Sequence, residues 1–374
     1  MNFEIKTVES KSDLIRFIRS QWNFYKDDKY WVPPVVADRL KLLNTEKNPF
    51  YQHSEIKLFT AHRGREIIGR IAGIVNYNHN KTHDDKVGFW GFFECINDQE
   101  VANALFDKAA EWLRSKDRDM MIGPENPSMN DEIGMLFEGY DSSPMILMTY
   151  NPPYYNDLCT GYGFEKAKDV FAFILNNETY MTDHMVRMQG LVRERFGITV
   201  RQIKIKDKKQ FAKDIATLKE IYNSAWQPNW GFVKWTDEEF DFIANDLKMT
   251  ADERLGVIAE VKGKVAGFGL ALPDINQALK FNKKGTLLGA IWALFTKKKH
   301  INQCRVIALG VVPEFQKIGL DVVLYYELGT RGGSIGFPTG EASWILEDNE
   351  MMIRGAAKMN GKLYKKYRLY QKSL

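Results

Sequence analysis

The stretch that most constrains what this chain can fold into is Arg305 to Leu328, RVIALGVVPEFQKIGLDVVLYYEL, which reads as a strand, a Gly-containing turn and a helix. Val306 to Val312 is apolar and rich in β-branched residues over the length of a strand, and Gly310 marks either a bulge or the close approach of another backbone. Pro313 cannot continue the ladder. Beyond it, Gln316-Lys317-Ile318-Gly319-Leu320-Asp321 opens a segment whose Val322, Val323, Tyr325, Tyr326 and Leu328 fit one helical face. The start of a helix presents four unpaired N–H groups and a partial positive charge, so a turn kept open by Gly319 beside it is a ready site for phosphate.

These residues resemble the central motif of the GCN5-related N-acetyltransferases (GNAT), a strand ending in V-x-P followed by Q/R-x-x-G-x-G/A and a helix. The resemblance implies that Leu309, Gly310 and Val311 meet an acyl thioester, and that Gln316, Lys317, Ile318, Gly319 and Leu320 hold the pyrophosphate of coenzyme A. Asp321 departs from the pattern, standing where the family carries Gly or Ala; a carboxylate there caps the helix or repels the phosphate.

At 374 residues the chain suits two domains of common size. Its 44% hydrophobic and 27% charged residues are those of a soluble globular protein, and a net charge of +4 does not predict binding to nucleic acid. Cys95, Cys159 and Cys304 are widely spaced with no CxxC pair, so neither a disulfide framework nor a zinc site is indicated. The first twenty residues lack the form of a signal peptide, and no apolar run is long enough to span a bilayer, so a cytoplasmic location is expected, with contact at the inner membrane surface left open.

The N-terminal half has its own strand, turn and helix. After a first strand comes a helix with Leu14, Ile15, Phe17, Ile18 and Trp22 on one face, capped by Ser12 or Asp13, and then the Tyr30-Trp31-Val32-Pro33-Pro34 segment, read either as a rigid wrap over the core or as a lip over a substrate channel. Glu55 to Val75 reads as a hairpin turning at Arg63-Gly64-Arg65. His79 and His83, four apart, could form a metal pair on a helix, but the Asn, Thr and Asp around them favour a solvated loop. VGFWGFFE from Val87 is a strong strand, and Val101 to Arg114 an amphipathic helix. The turn between them, Cys95-Ile96-Asn97-Asp98-Gln99-Glu100, has no Gly, and Asp98 is placed to cap the helix. IGPENPSMNDEIGM, from Ile122 to Met135, packs Glu125, Asn126, Ser128, Asn130, Asp131 and Glu132 between apolar strands, as either a functional loop or a hydrogen-bonded structural one.

Composition shifts toward charge after Asn176, where a second domain is expected to start, giving domains over 1–175 and 176–374. Trp226 to Trp235 holds three tryptophans in ten residues, read as a wall for an apolar acceptor or as a satellite core. A second hairpin turns at Lys262-Gly263-Lys264. LKFNKKGTLLGAIWALFTKKKH, from Leu279 to His300, sets an apolar core between lysines and suits an interfacial helix on an anionic membrane through 285–299, or a plain buried hairpin or helix. Gly340 to Leu346 follows as a strand, Asn349 to Met359 as a helix, and KLYKKYRLYQK as the last strand.

Over nearly its full length the sequence resembles a bacterial family of tandem acetyltransferase-fold proteins that carry W-V-P-P, G-P-x-N-x-S-x-N-D-E, Y-N-P-P-Y-Y, N-W-G-F-V and E-x-S-W-I-L-E-x-N-x-x-M. These stand here at Trp31, Gly123 to Glu132, Tyr150 to Tyr155, Asn229 to Val233 and Glu341 to Met352. Some members resemble bacterial ceramide synthases, which N-acylate a long-chain base. The fold implied is α/β (α+β): two tandem GNAT-like domains, each a mixed, largely antiparallel sheet flanked by helices, the first lacking the cofactor cradle. The activity implied is transfer of an acyl group from acetyl-CoA or a longer acyl-CoA to a small-molecule or lipid amine, without metal. Glu341 is the expected general base, Tyr364 a second catalytic residue, Asn349 a further cofactor residue, and Asn130, Glu132, Tyr154, Tyr155 and Trp230 the expected substrate side. Ala356 stands where the family often carries its general-acid Tyr. A catalytically silent binding protein and an aminoacyl-tRNA-dependent transferase are the competing readings.

Overall fold

In the computed structural model, which describes residues 2–227 and 229–374, the chain divides into two compact units. The first comprises Met1–Val170, Ala278–Lys298 and Lys365–Leu374; the second comprises Phe171–Gln277 and Lys299–Tyr364. Segments 278–298 and 365–374, which the sequence reading assigns to the C-terminal half, thus fold with the N-terminal unit. Pro228, within the tryptophan-rich segment, lies outside the described residues.

The first unit is a sheet in the order Glu4–Thr7, Ser54–Arg63, Glu66–Asn76, Val87–Cys95, Met120–Gly123 and the C-terminal strand. All neighbours are antiparallel except Val87–Cys95 and Met120–Gly123, which run parallel. The helix Gln99–Ser115 buries Val101, Leu105, Phe106, Ala109 and Leu113 against Ile71, Trp90 and Phe164. Asp98 caps it as expected, its side chain accepting from Glu100 N and Val101 N. The helix Lys11–Arg19 packs Phe17 and Ile18 on the other core of this unit. Its cap is Ser10, ahead of the expected Ser12 or Asp13: Asp13 is the third helical residue and reaches back to the Ser10 backbone, closing a capping box.

The expected loop at 76–85 is a helix, Tyr77–His83. Asn76 caps it by accepting from His79 N, and His79 is buried against Phe89, which outweighs the poor helix propensity of Asn and Thr. The His79 and His83 rings lie 4.3 Å apart, and among the described residues no group of three or more His, Cys, Asp or Glu could hold a metal ion.

The second unit orders its strands Thr339–Leu346, Gln303–Val311, Lys264–Pro273, Gly256–Val261 and Ile198–Gln202; only the first pair is parallel. Leu320–Ser334 packs Leu320, Val323, Leu324 and Leu328 on one face of the sheet with Val257 and Ala266. On the other face, Lys208–Ala225 packs Leu218 and Ile221 against Ile258 and Phe268. The helices Asp183–Phe196 and Asp237–Leu247 were not foreseen.

Candidate active site

The site begins where two parallel strands part. Gln303–Val311 pairs with Thr339–Leu346 over four positions only, from Gln303↔Thr339 to Val306↔Ala342. Both strands run on, by five residues to Val311 and by four to Leu346, without pairing each other. A one-residue register shift against Lys264–Pro273 falls at the same level: Ala271 faces Val306 and Leu270 faces Ala308, so the bulged residue is Ile307. A bulge bends the strand and increases its twist at the level where the parallel pairing ends. Sequence reading put the irregularity at Gly310, whose true constraint is a side chain: a Cβ there would lie 2.4 Å from Trp226. Leu309, Gly310 and Val311 therefore lie past the fork, with Gly310 against the Trp226 ring. Trp226 stacks on Tyr222 at 4.5 Å and leans on Phe268 at 5.9 Å, with Phe232, Trp235 and Phe240 around Tyr222.

At the base of the fork lies a buried ionic nest. Arg305 and Glu341 are register partners, and side chains opposite one another in parallel strands share a face. Arg305 Nε is 3.4 Å from Glu341 Oε1 and donates to Ser343 Oγ at 2.8 Å; Ser343 Oγ donates to Glu341 Oε1 at 2.5 Å. Tyr364 donates its hydroxyl to Glu341 Oε2. The Arg305 guanidinium also lies 5.0 Å from the Trp344 ring centroid. Glu341 has no exposed surface, so no solvent-borne group reaches it directly, whereas Tyr364 is partly exposed. The sequence reading named Glu341 and Tyr364, which the structure joins by a hydrogen bond, and did not name Arg305 and Ser343. The signal was present: a lone Arg opening an apolar strand must find a partner, and Glu341 and Ser343, two apart, share one strand face.

At the open end, Gly319 adopts φ +85° and serves as the cap of Leu320–Ser334, with no side-chain hydrogen bond to the first helical N–H groups. A Cβ at Gly319 would be strained and 3.1 Å from Val192. Lys317 also has positive φ, and Gln316 Nε2 donates back to Val311 O at 3.3 Å. Asp321 is exposed in the first turn, where its charge favours the helix dipole; it does not cap the helix. Asn349 caps the helix Glu350–Lys358 by accepting from Met352 N at 3.1 Å.

The remaining expected site residues lie elsewhere. Tyr155 is fully buried in the first unit, donating to Glu94 Oε2 and accepting from Cys95 N. Tyr154 donates to Cys95 O, and Glu132 takes a two-point contact from Arg39 Nη2 at 2.7 and 2.9 Å. Asn130 N donates to Ser128 Oγ; Trp230 is half-buried in the tryptophan segment. Around Glu94, Tyr25 and Gln21 also donate and Arg70 approaches to 3.4 Å, yet burial holds the carboxyl above its ordinary range. This cluster draws on four separated elements and left no local sequence signal.

The first unit has a fork of its own. Val87–Cys95 pairs with Met120–Gly123 only from Val87↔Met120 to Phe89↔Ile122. Here the chain fills the gap. Asn126 Oδ1 accepts from Phe92 N at 2.6 Å, and Glu125 O packs so closely on Gly91 that a Cβ there would be 1.7 Å from it. The Glu125 carboxyl is buried, and with one oxygen unbonded it is held well above the usual carboxylate range by desolvation. Thus the Ile122–Met135 stretch acts as a plug beyond the last paired residues of the first unit, whereas in the second unit the strands part without a chain segment among the described residues bonded in the same way.

No family model matches the chain. It is 33% identical over 377 residues to a bacterial ceramide synthase of Caulobacter vibrioides, covering 98% of this chain and 96% of that protein. The chain belongs to the bacterial ceramide synthase family. It is also 31% identical over 378 residues to Protein YghO of Escherichia coli, with 99% and 95% covered. A tandem GNAT protein from the clavulanic acid biosynthesis pathway superposes with a TM-score of 0.59 over 99% of this chain and 98% of its own, at 12% identity, which shows the fold. This member of the ceramide synthase family is accordingly an acyltransferase with a tandem GNAT fold.

Proposed function

We propose that the chain is an acyl-coenzyme A-dependent N-acyltransferase whose acceptor is a lipid amine of the long-chain-base class. The observation that carries the donor side is the fork: pairing that ends at Val306↔Ala342 leaves the backbone of Leu309 to Val311 unmatched by the neighbouring strand. Unmatched N–H and C=O groups at this point suit the amide groups of pantetheine and the thioester carbonyl. Gly319 and the uncapped helix start beyond them suit the pyrophosphate. The plugged slot and the Asp98-capped helix of the first unit argue for a single donor site, in the second unit.

The acceptor nitrogen attacks the thioester carbonyl carbon, the C–S bond breaks, and the coenzyme A thiolate leaves and takes up a proton. The nitrogen must lose a proton as the amide forms. In this reading it passes to the partly exposed Tyr364 hydroxyl as that hydroxyl hands its own proton to Glu341 Oε2; Arg305 and Ser343 hold the Glu341 carboxyl in place. The lipid class rests on two supports: the aromatic wall of Tyr222, Trp226 and Phe268 over the fork, and the name of the Caulobacter relative.

The test is calorimetric titration with acetyl-CoA and a long-chain acyl-CoA, together with an acyl-transfer assay on a long-chain base. Gly319→Leu should weaken binding of either ester at least tenfold while the fold is retained. Unchanged binding in this variant would put the pyrophosphate elsewhere; tight binding without transfer to the base would leave the donor and remove the acceptor class.

A further inference from the structure

The helix Leu287–Thr296 is turned inside out. Its buried residues are the small Ala290 and Ala293, whereas Leu288 and Phe295 are 80% and 82% exposed, and Leu287, Ile291 and Trp292 are 44% exposed or more. In a helix of a water-soluble surface the large apolar side chains face the core; here they form the outer stripe. The helix is firmly seated. Thr286 caps it, Trp22 Nε1 donates to Lys283 O at 2.6 Å, and Val36 N donates to Gly285 O at 2.9 Å. Gly285, with φ +61°, sits so close to Pro34 O that a Cβ would be 2.4 Å from it. Trp31 in turn braces Trp22 edge-on and stacks on Tyr25. The W-V-P-P segment is therefore the footing of this helix.

We infer that this face docks on the surface of an anionic lipid bilayer. Charge selects the occupant. From Leu279 to His300 the sequence holds six lysines, Lys280, Lys283, Lys284, Lys297, Lys298 and Lys299, and no acidic residue. A second copy of the chain on the same patch would bring six lysines against six, whereas anionic headgroups complement them. The Lys297 ammonium lies over the rings of Phe281 and Trp292 at 5.2 and 5.3 Å, which sets positive charge directly beside the apolar stripe. Trp292 and the lysines suit the headgroup level, and Leu288 and Phe295 the acyl boundary. Ten residues rise only about 15 Å, so the helix lies in the interface and does not cross it. No helix among the described residues is long and apolar enough to cross a membrane. The inference is independent of the donor site.

The test is vesicle co-sedimentation of the full chain, using phosphatidylcholine alone and phosphatidylcholine with a third phosphatidylglycerol. The expected result is binding to the anionic vesicles that weakens with salt. Leu288→Glu with Phe295→Glu should lower it at least tenfold, and Lys298→Gln about fivefold, while circular dichroism and melting stay those of the parent because these side chains are exposed. Binding equal to that on neutral vesicles, or binding by the double variant equal to the parent, overturns the inference. So does a concentration-dependent dimer in sedimentation analysis that Leu288→Glu abolishes.

Discussion

Replacing Tyr364 with Phe removes one oxygen from the nest at the base of the fork and nothing else. Glu341 keeps its contacts with Ser343 Oγ and Arg305, so the carboxylate is not orphaned. The stability cost is then that of one hydrogen bond to a charged group, about 1.5–3 kcal/mol, a melting shift of a few degrees for a chain of this size. Loss of a proton-transfer group costs roughly 10²- to 10⁴-fold in rate, and each tenfold is about 1.4 kcal/mol. The expected barrier change, about 3–6 kcal/mol, thus reaches or exceeds the ground-state effect. The assay is thiol release from acyl-CoA in the presence of a long-chain base, with kcat and KM taken separately at several pH values. Tyr364→Phe should lower kcat at least 100-fold with little change in the KM for acyl-CoA and alter the pH profile. A variant that melts a few degrees lower but turns over within about threefold of the parent would refute the relay and leave Tyr364 a structural clamp on Glu341.

Two further outcomes test the first unit. Burial pulls the His79 imidazole from its ordinary 6.5 down to about 4 despite Asp85 at 3.2 Å. Because the folded value lies below the unfolded one, the associated stability is fully present above about pH 6.5 and is lost as pH falls toward 4, up to about 3 kcal/mol. Chemical denaturation at pH 7, 5.5 and 4 should show that slope in the parent and a flatter one in His79→Gln. Gly91→Ala places a methyl 1.7 Å from Glu125 O and must drive the plug outward; a loss of about 1–3 kcal/mol is expected, with new proteolytic cleavage within 123–135 and undiminished acyl-CoA binding by the second unit.

What the sequence made legible was local. The strand, turn and helix at 305–328 stood out because β-branched run, Pro313 and Gly319 are consecutive signals, and the Asp98 cap lies within three residues of the groups it bonds. Elements whose reason is distant were misread. The helix at 77–83 is decided by His79 packing on Phe89, which no propensity at 76–85 records. The bulge at Ile307 is set by the register of a strand over thirty residues away, and the Trp226 contact with Gly310 joins positions 84 apart. Periodicity at Leu287, Leu288, Ile291, Trp292 and Phe295 revealed a stripe but not its direction, since a repeat is the same whether it faces core or solvent. The plug was invisible for another reason: polar residues between strands read alike whether they await a ligand or replace one.

That plug bears on how a repeated fold divides its labour. In the first unit a stretch of the chain itself satisfies the strand where the sheet forks, so this repeat needs no second molecule to complete its backbone hydrogen bonding there. Shortening the Glu125–Asp131 stretch would uncover the Phe92 N–H and the backbone at Gly91, turning a repeat that completes itself into one with an edge to be filled from outside.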